Sequence, residues 1–320
     1  MAMRAAAALF CGLIFAASAA GAGYPDKPVR WIVPFAPGGS ADALARTMQQ
    51  ALGETLGQPL VIDNRPGASS IIGTELLTKS PADGYTLLIM TTTHTINPSL
   101  VAKLPFDPVR DLAAVSLVVS QPNILAVHPS VPAKSVRELV ALAKAKPNTL
   151  NFASGGNGSS PHLSGELFKL VAKIAITHVP YKSSGPGVTD LLGGHVQMIF
   201  AGPLVLEQHI KSGRLRALAV ADLRRSALLP DAPTMTEAGF PGVETGTWYG
   251  IAAPARTPRA IVATVHDAIL RALRAPDLTA RLLALGVDIV GSSPQQFEKF
   301  IIAEIDKWSR VVKEAGVRAE

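Results

Sequence analysis

The run Phe35-Ala36-Pro37-Gly38-Gly39-Ser40-Ala41-Asp42 places glycines, a hydroxyl and a carboxylate between an apolar stretch and an amphipathic one. Glycines there let the chain turn sharply and aim free N–H groups outward, and a helix opening at such a turn adds the positive end of its dipole. Together they make a cradle for a carboxylate or a phosphate. The same residues also fit a plain tight turn, with Ser40 as cap and Asp42 complementing the dipole. A second run of this kind, Ser154-Gly155-Gly156-Asn157-Gly158-Ser159-Ser160, precedes a helix start at Pro161. Two hydroxyl- and glycine-rich helix starts, one from each half of the chain, suit a small anion held between two lobes. Thr91-Thr92-Thr93-His94 and Tyr181-Lys182-Ser183-Ser184-Gly185, the latter ahead of Asp190, are lesser candidates, each more often structural when met alone.

Catalytic constellations are missing. The chain has no G-x-S-x-G elbow, no H-E-x-x-H and no C-x-x-C. The dinucleotide fingerprint fails because Gly156-Asn157-Gly158 runs into Ser159-Ser160-Pro161, and no glycine is followed by a Lys-Ser/Thr pair at phosphate-loop spacing. The seven histidines show no metal-ligand spacing. No cofactor or metal is expected. A periplasmic serine hydrolase using Ser159 with His162 is the one enzymatic alternative.

Something must hold these loops, and the flanking patterns supply it. Strand-like Val29–Val33, Leu60–Asp63 and Thr86–Met90 alternate with helical 41–56 and 71–79, and a looping stretch runs through Asn97-Pro98 to Pro108. Two strands, 114–119 and 124–127, and a helix over 135–145 lead into a second unit. There, strands at 151–153, 176–180, 196–200 and 215–219 alternate with helices at 161–171, 186–192 and 205–212, before a mostly helical tail from Pro258. Trp248-Tyr249 is a packing pair near the return to the first unit, or a wall of the cleft. The rhythm predicts an α/β protein with mainly parallel sheets flanked by helices, and ligands of such sheets sit beyond the carboxyl ends of the strands.

With 320 residues, 48% hydrophobic and 17% charged, the chain is long enough for two domains and too apolar for disorder. Arg4 followed by the apolar, alanine-rich Ala5–Ala17 reads as a secretory signal, with cleavage sites at Ala17-Ser18-Ala19 or, preferred, Ala20-Gly21-Ala22. The apolar part is short of the about 20 residues that span a bilayer. Residues 1–22 are therefore assigned as signal peptide and the mature protein as periplasmic, without a membrane-embedded segment. The single cysteine, Cys11, leaves with the signal, so no disulfide is expected. The signal holds Arg4 and no acid, so the net charge falls from +6 to +5. The basic residues are scattered and not interleaved with aromatics, which argues against nucleic-acid binding.

A resemblance rests on the opening Tyr24-Pro25-Asp26-Lys27-Pro28, on Val33-Pro34-Phe35-Ala36-Pro37-Gly38-Gly39 with Asp42, and on Asn64-Arg65-Pro66-Gly67-Ala68. It continues through Asp83-Gly84-Tyr85, His178-Val179-Pro180-Tyr181-Lys182, Asp190-Leu191-Leu192-Gly193-Gly194 and Trp248-Tyr249-Gly250. In this order they resemble the Bug family, also called TctC, the periplasmic substrate-binding proteins of tripartite tricarboxylate transporters. The resemblance implies a two-lobed, type II-like periplasmic binding fold, with 24–124 and 247–320 as the first lobe and 125–246 as the second. It further implies a small organic carboxylate in the cleft (di- or tricarboxylate, acidic amino acid or aromatic acid) and the permease subunits of such a transporter as partners; small soluble receptors of this shape are usually monomers, so a monomer is expected. By position it carries over Phe35, Ala36, Gly38, Gly39 and Asp42 from the first lobe, with Ser154, Gly155, Ser159 and Asp190 from the second. Ser40, Thr92, Thr93 and Tyr181 complete the candidate ligand-binding set. Two departures stand out. Ser69-Ser70 stands where relatives carry glycines, and the segment His195 to Phe200 lacks the carboxylates that relatives show there. A ligand-presenting co-receptor for a membrane sensor kinase is the rival role that the sequence leaves open.

Overall fold

The computed structural model describes residues 23–316; the expected signal peptide, its cleavage sites and Cys11 lie outside the described residues. In chain order the first elements are β1 (Val29–Val33), α1 (Ser40–Leu56), β2 (Leu60–Asn64), α2 (Ile71–Thr78), β3 (Thr86–Thr91), α3 (Thr92–Leu100) and the long β4 (Leu112–Val127). Next come α4 (Val136–Ala145), β5 (Asn151–Ser154), α5 (Ser160–Ala172), β6 (Thr177–Pro180), α6 (Ser184–Leu192), β7 (Met198–Ala201), α7 (Pro203–Lys211) and β8 (Arg216–Ala221). The chain returns through β9 (Gly246–Pro254) and finishes with α8 (Arg259–Arg274), α9 (Pro276–Ala284), β10 (Asp288–Ile289) and α10 (Pro294–Ala315).

Two sheets repeat one plan. In the first lobe the order is β2-β1-β3-β9-β4, with β1 parallel to β2 and β3 and β9 antiparallel to both its neighbours. In the second it is β6-β5-β7-β4-β8, with β5 parallel to β6 and β7 and β4 antiparallel to both its neighbours. The architecture is the two-lobed α/β fold, but its sheets are mixed rather than mainly parallel. In each lobe the strand arriving from the other lobe is inserted antiparallel to both its neighbours, and in the first lobe the short β10 also pairs antiparallel with β4.

That insertion joins the lobes. β4 is one strand where the sequence reads as two, and it changes sheet between Pro122, paired with Gly246, and Asn123, paired with Ala221. Proline lacks an N–H, so it interrupts a strand pattern at low cost where the ladder changes partner. Asn123 is fully buried, and its Nδ2 donates to Ser160 Oγ (2.8 Å) and Ser164 Oγ (2.9 Å), tying the crossing to α5.

Strand alternation builds the core of the first lobe. Val29, Trp31 and Val33 face one apolar cluster with α1 and α8, while Ile32 joins Leu88, Met90 and Trp248 on the other face. α1 contributes Ala41, Leu44, Ala45, Met48 and Leu52 on a single stripe and ends at Gly57, whose φ of 78° suits glycine in a left-handed cap. Trp248 and Trp308 both donate their indole N–H to Glu304, at 3.0 and 2.9 Å, which fastens α10 beneath β9.

Candidate functional site

A cavity of ≈ 50 Å³ lies between the lobes, walled by the first lobe at Phe35, Gly39, Ser40, Thr91 and Tyr249 and by the second at Gly155, Ser159, Ser183, Ala201 and Gly202. The residue immediately before each of five helices lines it: Gly39 before α1, Thr91 before α3, Ser159 before α5, Ser183 before α6 and Gly202 before α7. Parallel strands running into helices produce this convergence, because every strand-to-helix turn at the carboxyl edge of a sheet points a helix N-terminus into the cleft. Each terminus brings unpaired N–H groups and a partial positive charge. Among the described residues, none of those lining the cavity is Arg, Lys, Asp, Glu or His. The site therefore attracts anions through dipoles and hydroxyls, with no formal charge of its own. No three His, Cys, Asp or Glu side chains among the described residues group to hold a metal ion.

The lobes are closed on each other. Ala36 N–H donates to Lys182 O at 3.2 Å, and Ser40 N–H to Ser184 Oγ at 3.3 Å. A Cβ on Gly39 would stand 2.7 Å from Ser183 Cβ, and one on Gly185 would stand 2.6 Å from Gly38 O, so backbone meets backbone across the cleft only because both residues are glycine. Ser69 Oγ adds a hydrogen bond to Asn157 O from the far rim. It comes from a run in which Ala68, Ser69 and Ser70 all hold positive φ, at 44°, 50° and 72°. Glycine adopts this backbone without penalty, so Ser69 and Ser70 carry strain here while Ser69 reaches the other lobe.

Phe35, Gly39, Ser40, Thr93, Gly155 and Ser159 of the expected set line the cavity. The others lie behind it or outside it. Asp42, only 3% exposed, has its carboxylate engaged by Gly38 N–H (3.0 Å), Arg46 Nε (2.9 Å) and Asn64 Nδ2 (3.0 Å). Burial opposes its ionisation, but the hydrogen bonds from Arg46, Gly38 and Asn64 and the Arg46 charge hold its carboxyl below the usual range. Asp42 and Gly38 thus shape the loop, and Ala36 contacts the other lobe through its backbone. Thr92 accepts from Trp248 N–H (3.1 Å), and Ser154 Oγ pairs with His178 Nε2 (2.6 Å). Tyr181 donates to Asp190 Oδ2 (2.6 Å) on the outer side of α6, and burial with that carboxylate pushes its phenol up to about 12.

Thr91, Ser183 and Ser184, which also line the cavity, belong to the two runs that the sequence offers as lesser candidates, though not to the expected ligand-binding set; Tyr249 walls the cleft, one of its two readings, and Gly202 and Thr247 carry no signal of their own in the sequence. Tyr249 Oη accepts from Gln121 Nε2 at 2.9 Å, and burial pushes the phenol up, so it stays a neutral donor. Gln121 Oε1 in turn accepts from Leu204 N–H at 3.4 Å, linking the crossing strand to the start of α7. The pair Ser159 and His162 does not form a nucleophile and base. Ser159 Oγ caps α5 by accepting the His162 backbone N–H (3.3 Å), while the His162 ring stacks on His178 at 4.1 Å and its Nδ1 accepts from Gly158 N–H (3.1 Å).

A buried interlobe cavity on this topology defines a two-lobed solute-binding protein. The chain belongs to the tripartite tricarboxylate transporter family receptors (TctC), which residues 44–317 match. It is 41% identical to the protein BugT of Bordetella pertussis over 298 residues, covering 92% of this chain and 91% of that one. Among solved structures it is similar to an R. palustris protein with adipate (37% identity, TM-score 0.90, 93% of this chain and 100% of that one). It is also similar to MatC of Rhodopseudomonas palustris with bound malate (31% identity, TM-score 0.87, 90% of this chain and 100% of that one). The family is one of receptors, so the chain is a solute receptor and not an enzyme.

Proposed function

We propose that this protein captures a small organic carboxylate in the interlobe cleft, in the periplasm, and delivers it to the membrane subunits of a tripartite tricarboxylate transporter. The observation that carries the reading is the convergence of five helix N-termini on a cavity without charged walls. Backbone N–H groups and hydroxyls satisfy a carboxylate, and preformed dipoles cost no reorganisation when it enters. Phe35, Tyr249 and Ala201 offer apolar surface to the body of the ligand. Similar structures carry adipate and malate, both small carboxylates. The ligand contacts both lobes at once, so its binding energy selects the closed form, which is the state a permease reads. No helix among the described residues is long and apolar enough to cross a membrane.

A thermal-shift screen of the mature protein against di- and tricarboxylates, acidic amino acids and aromatic acids tests this reading. A saturating ligand raises the melting temperature by mass action. The expected result is stabilisation by at least one carboxylate, recovered chemically unchanged by mass spectrometry. A flat response across the panel, or turnover of the acid, contradicts it.

A further inference from the structure

Two hydroxyl oxygens at the cavity are fully shut off from solvent and have no protein partner. Thr91 Oγ1 and Ser183 Oγ are buried and unpaired, in residues only 4% and 2% exposed, and both residues line the cavity. A buried hydroxyl without a partner is destabilising, and native proteins keep few of them without a reason. Most other hydroxyls lining this cavity are engaged: Ser40 and Ser184 with each other, Ser159 with its own helix, Ser160 with Gly246 O. Thr91 and Ser183 stand at the N-caps of α3 and α6, where threonine and serine ordinarily accept from the first turn, yet neither makes that bond. Their oxygens are left for something else, and so are the N–H groups they would have capped. Thr91 ends a strand of the first lobe and Ser183 precedes a helix of the second.

On the reading of the cleft as a carboxylate site, we infer that Thr91 and Ser183 are the hydroxyl pair that the ligand bridges, one donor from each lobe, so that this bridge couples binding to closure. A carboxylate has two oxygens and about four lone-pair sites, enough to accept from both hydroxyls while taking helix N–H groups on the rest. Gly39 permits the arrangement, because a Cβ there would stand 3.0 Å from Ser183 Oγ. A ligand that engages one lobe alone leaves the other hydroxyl unsatisfied, which penalises the half-closed state.

The test is calorimetric titration with whichever of adipate, malate, citrate or benzoate binds the wild type most tightly, alongside small-angle scattering with and without it. Thr91→Val and Ser183→Ala each weaken that carboxylate by about 10- to 100-fold, the range for losing a hydrogen bond to a charged group. The unliganded melting temperature stays level or rises, because an unsatisfied buried hydroxyl has been removed. Thr91→Ser restores affinity, and ligand-induced compaction fades in Ser183→Ala. Ser212→Ala, at the far end of α7 and away from the cavity, leaves affinity unchanged. Wild-type binding with both Thr91→Val and Ser183→Ala unaffected overturns the hydroxyl bridge while leaving the receptor reading intact. A wild type that binds none of the four acids overturns both.

Discussion

Asp42 lies one turn from the cavity with its carboxylate turned into the β1–α1 loop, held by Gly38, Arg46 and Asn64. Its role is to keep Gly39 and Ser40 where they meet the second lobe. Asp42→Ala therefore lowers the stability of the protein by about 1–3 kcal/mol, from the buried donors it leaves unpaired, and weakens ligand binding as a consequence. A ligand contact alone would weaken binding with no change in melting temperature, so measuring both separates the two roles. The glycine and hydroxyl runs at 35–42 and 154–160 are legible in the sequence because turning a strand into a helix around an anion restricts residue type over several consecutive positions. Thr247 is not, because an isolated hydroxyl looks the same whether it faces a ligand, a helix N–H or solvent, and the runs that hold Thr91 and Ser183 do not say which of their hydroxyls faces the cleft. Nor does residue type say which way Asp42 points; neighbours 22 residues away decide that.

Among the elements, the βαβα rhythm of both lobes follows from hydrophobic periodicity, and β1, α1, β3 and α5 fall close to where the sequence puts them. β9 escapes it. The glycine-rich approach from Gly239 to Thr247 reads as loop, and the strand that follows carries Gly250 and ends at Pro254, with a pairing on both edges that only the tertiary fold supplies. α3 escapes too, because Pro98 signals a break yet stands in the last turn, where the helix loses little by ending at Leu100. The loop before α2 shows strain set against contact. Replacing Ser69 by glycine should relieve about 1 kcal/mol of left-handed backbone strain and raise the melting temperature of the unliganded protein. The same change removes the hydrogen bond to Asn157 O, so ligand affinity falls while stability rises. A parallel fall in both, by melting and titration, would argue that the serine side chain stabilises the loop itself.

Two buried histidines make the packing of these elements sensitive to acid. Burial lowers His94, beside α3, from 6.5 to about 4, against the raising effect of its bond to Pro108 O. Burial, with the nearby His162 and Lys169, lowers His178 to about 3. Both are neutral in the folded state and take up protons near pH 6.5 once unfolded, so the unfolded state binds more protons on acidification. The stability they contribute is complete above pH 6.5 and is lost as the pH falls toward 4 and then 3. Melting temperatures followed from pH 7 to 4 should decline, and His94→Gln should flatten the upper part of that decline. An unchanged slope in that variant assigns the acid sensitivity elsewhere.

At the scale of the whole molecule, two copies of one sheet plan are joined by strands that each enter the other's sheet, and the carboxyl edges of both face a common cleft. Helix dipoles then add up at the cavity while the fixed charges stay outside it. That arrangement holds a carboxylate without a buried cation, and so without the desolvation penalty of one. It also makes closure depend on glycine at the lobe boundary. Gly39 has a φ of −84°, which any residue adopts, so a side chain there strains nothing within its own lobe and collides only with Ser183 across the cleft.

Calorimetric titration of wild type and Gly39→Val with the carboxylate that stabilises the wild type tests the central claim most directly, with each protein's melting curve recorded beside it. The account predicts one carboxylate per wild-type chain, and for Gly39→Val a wild-type-like unliganded melting curve with binding reduced by about 100-fold or more, the equivalent of losing about 3 kcal/mol of interlobe contact. Equal affinity in the folded variant, or no carboxylate binding in the wild type, would contradict it.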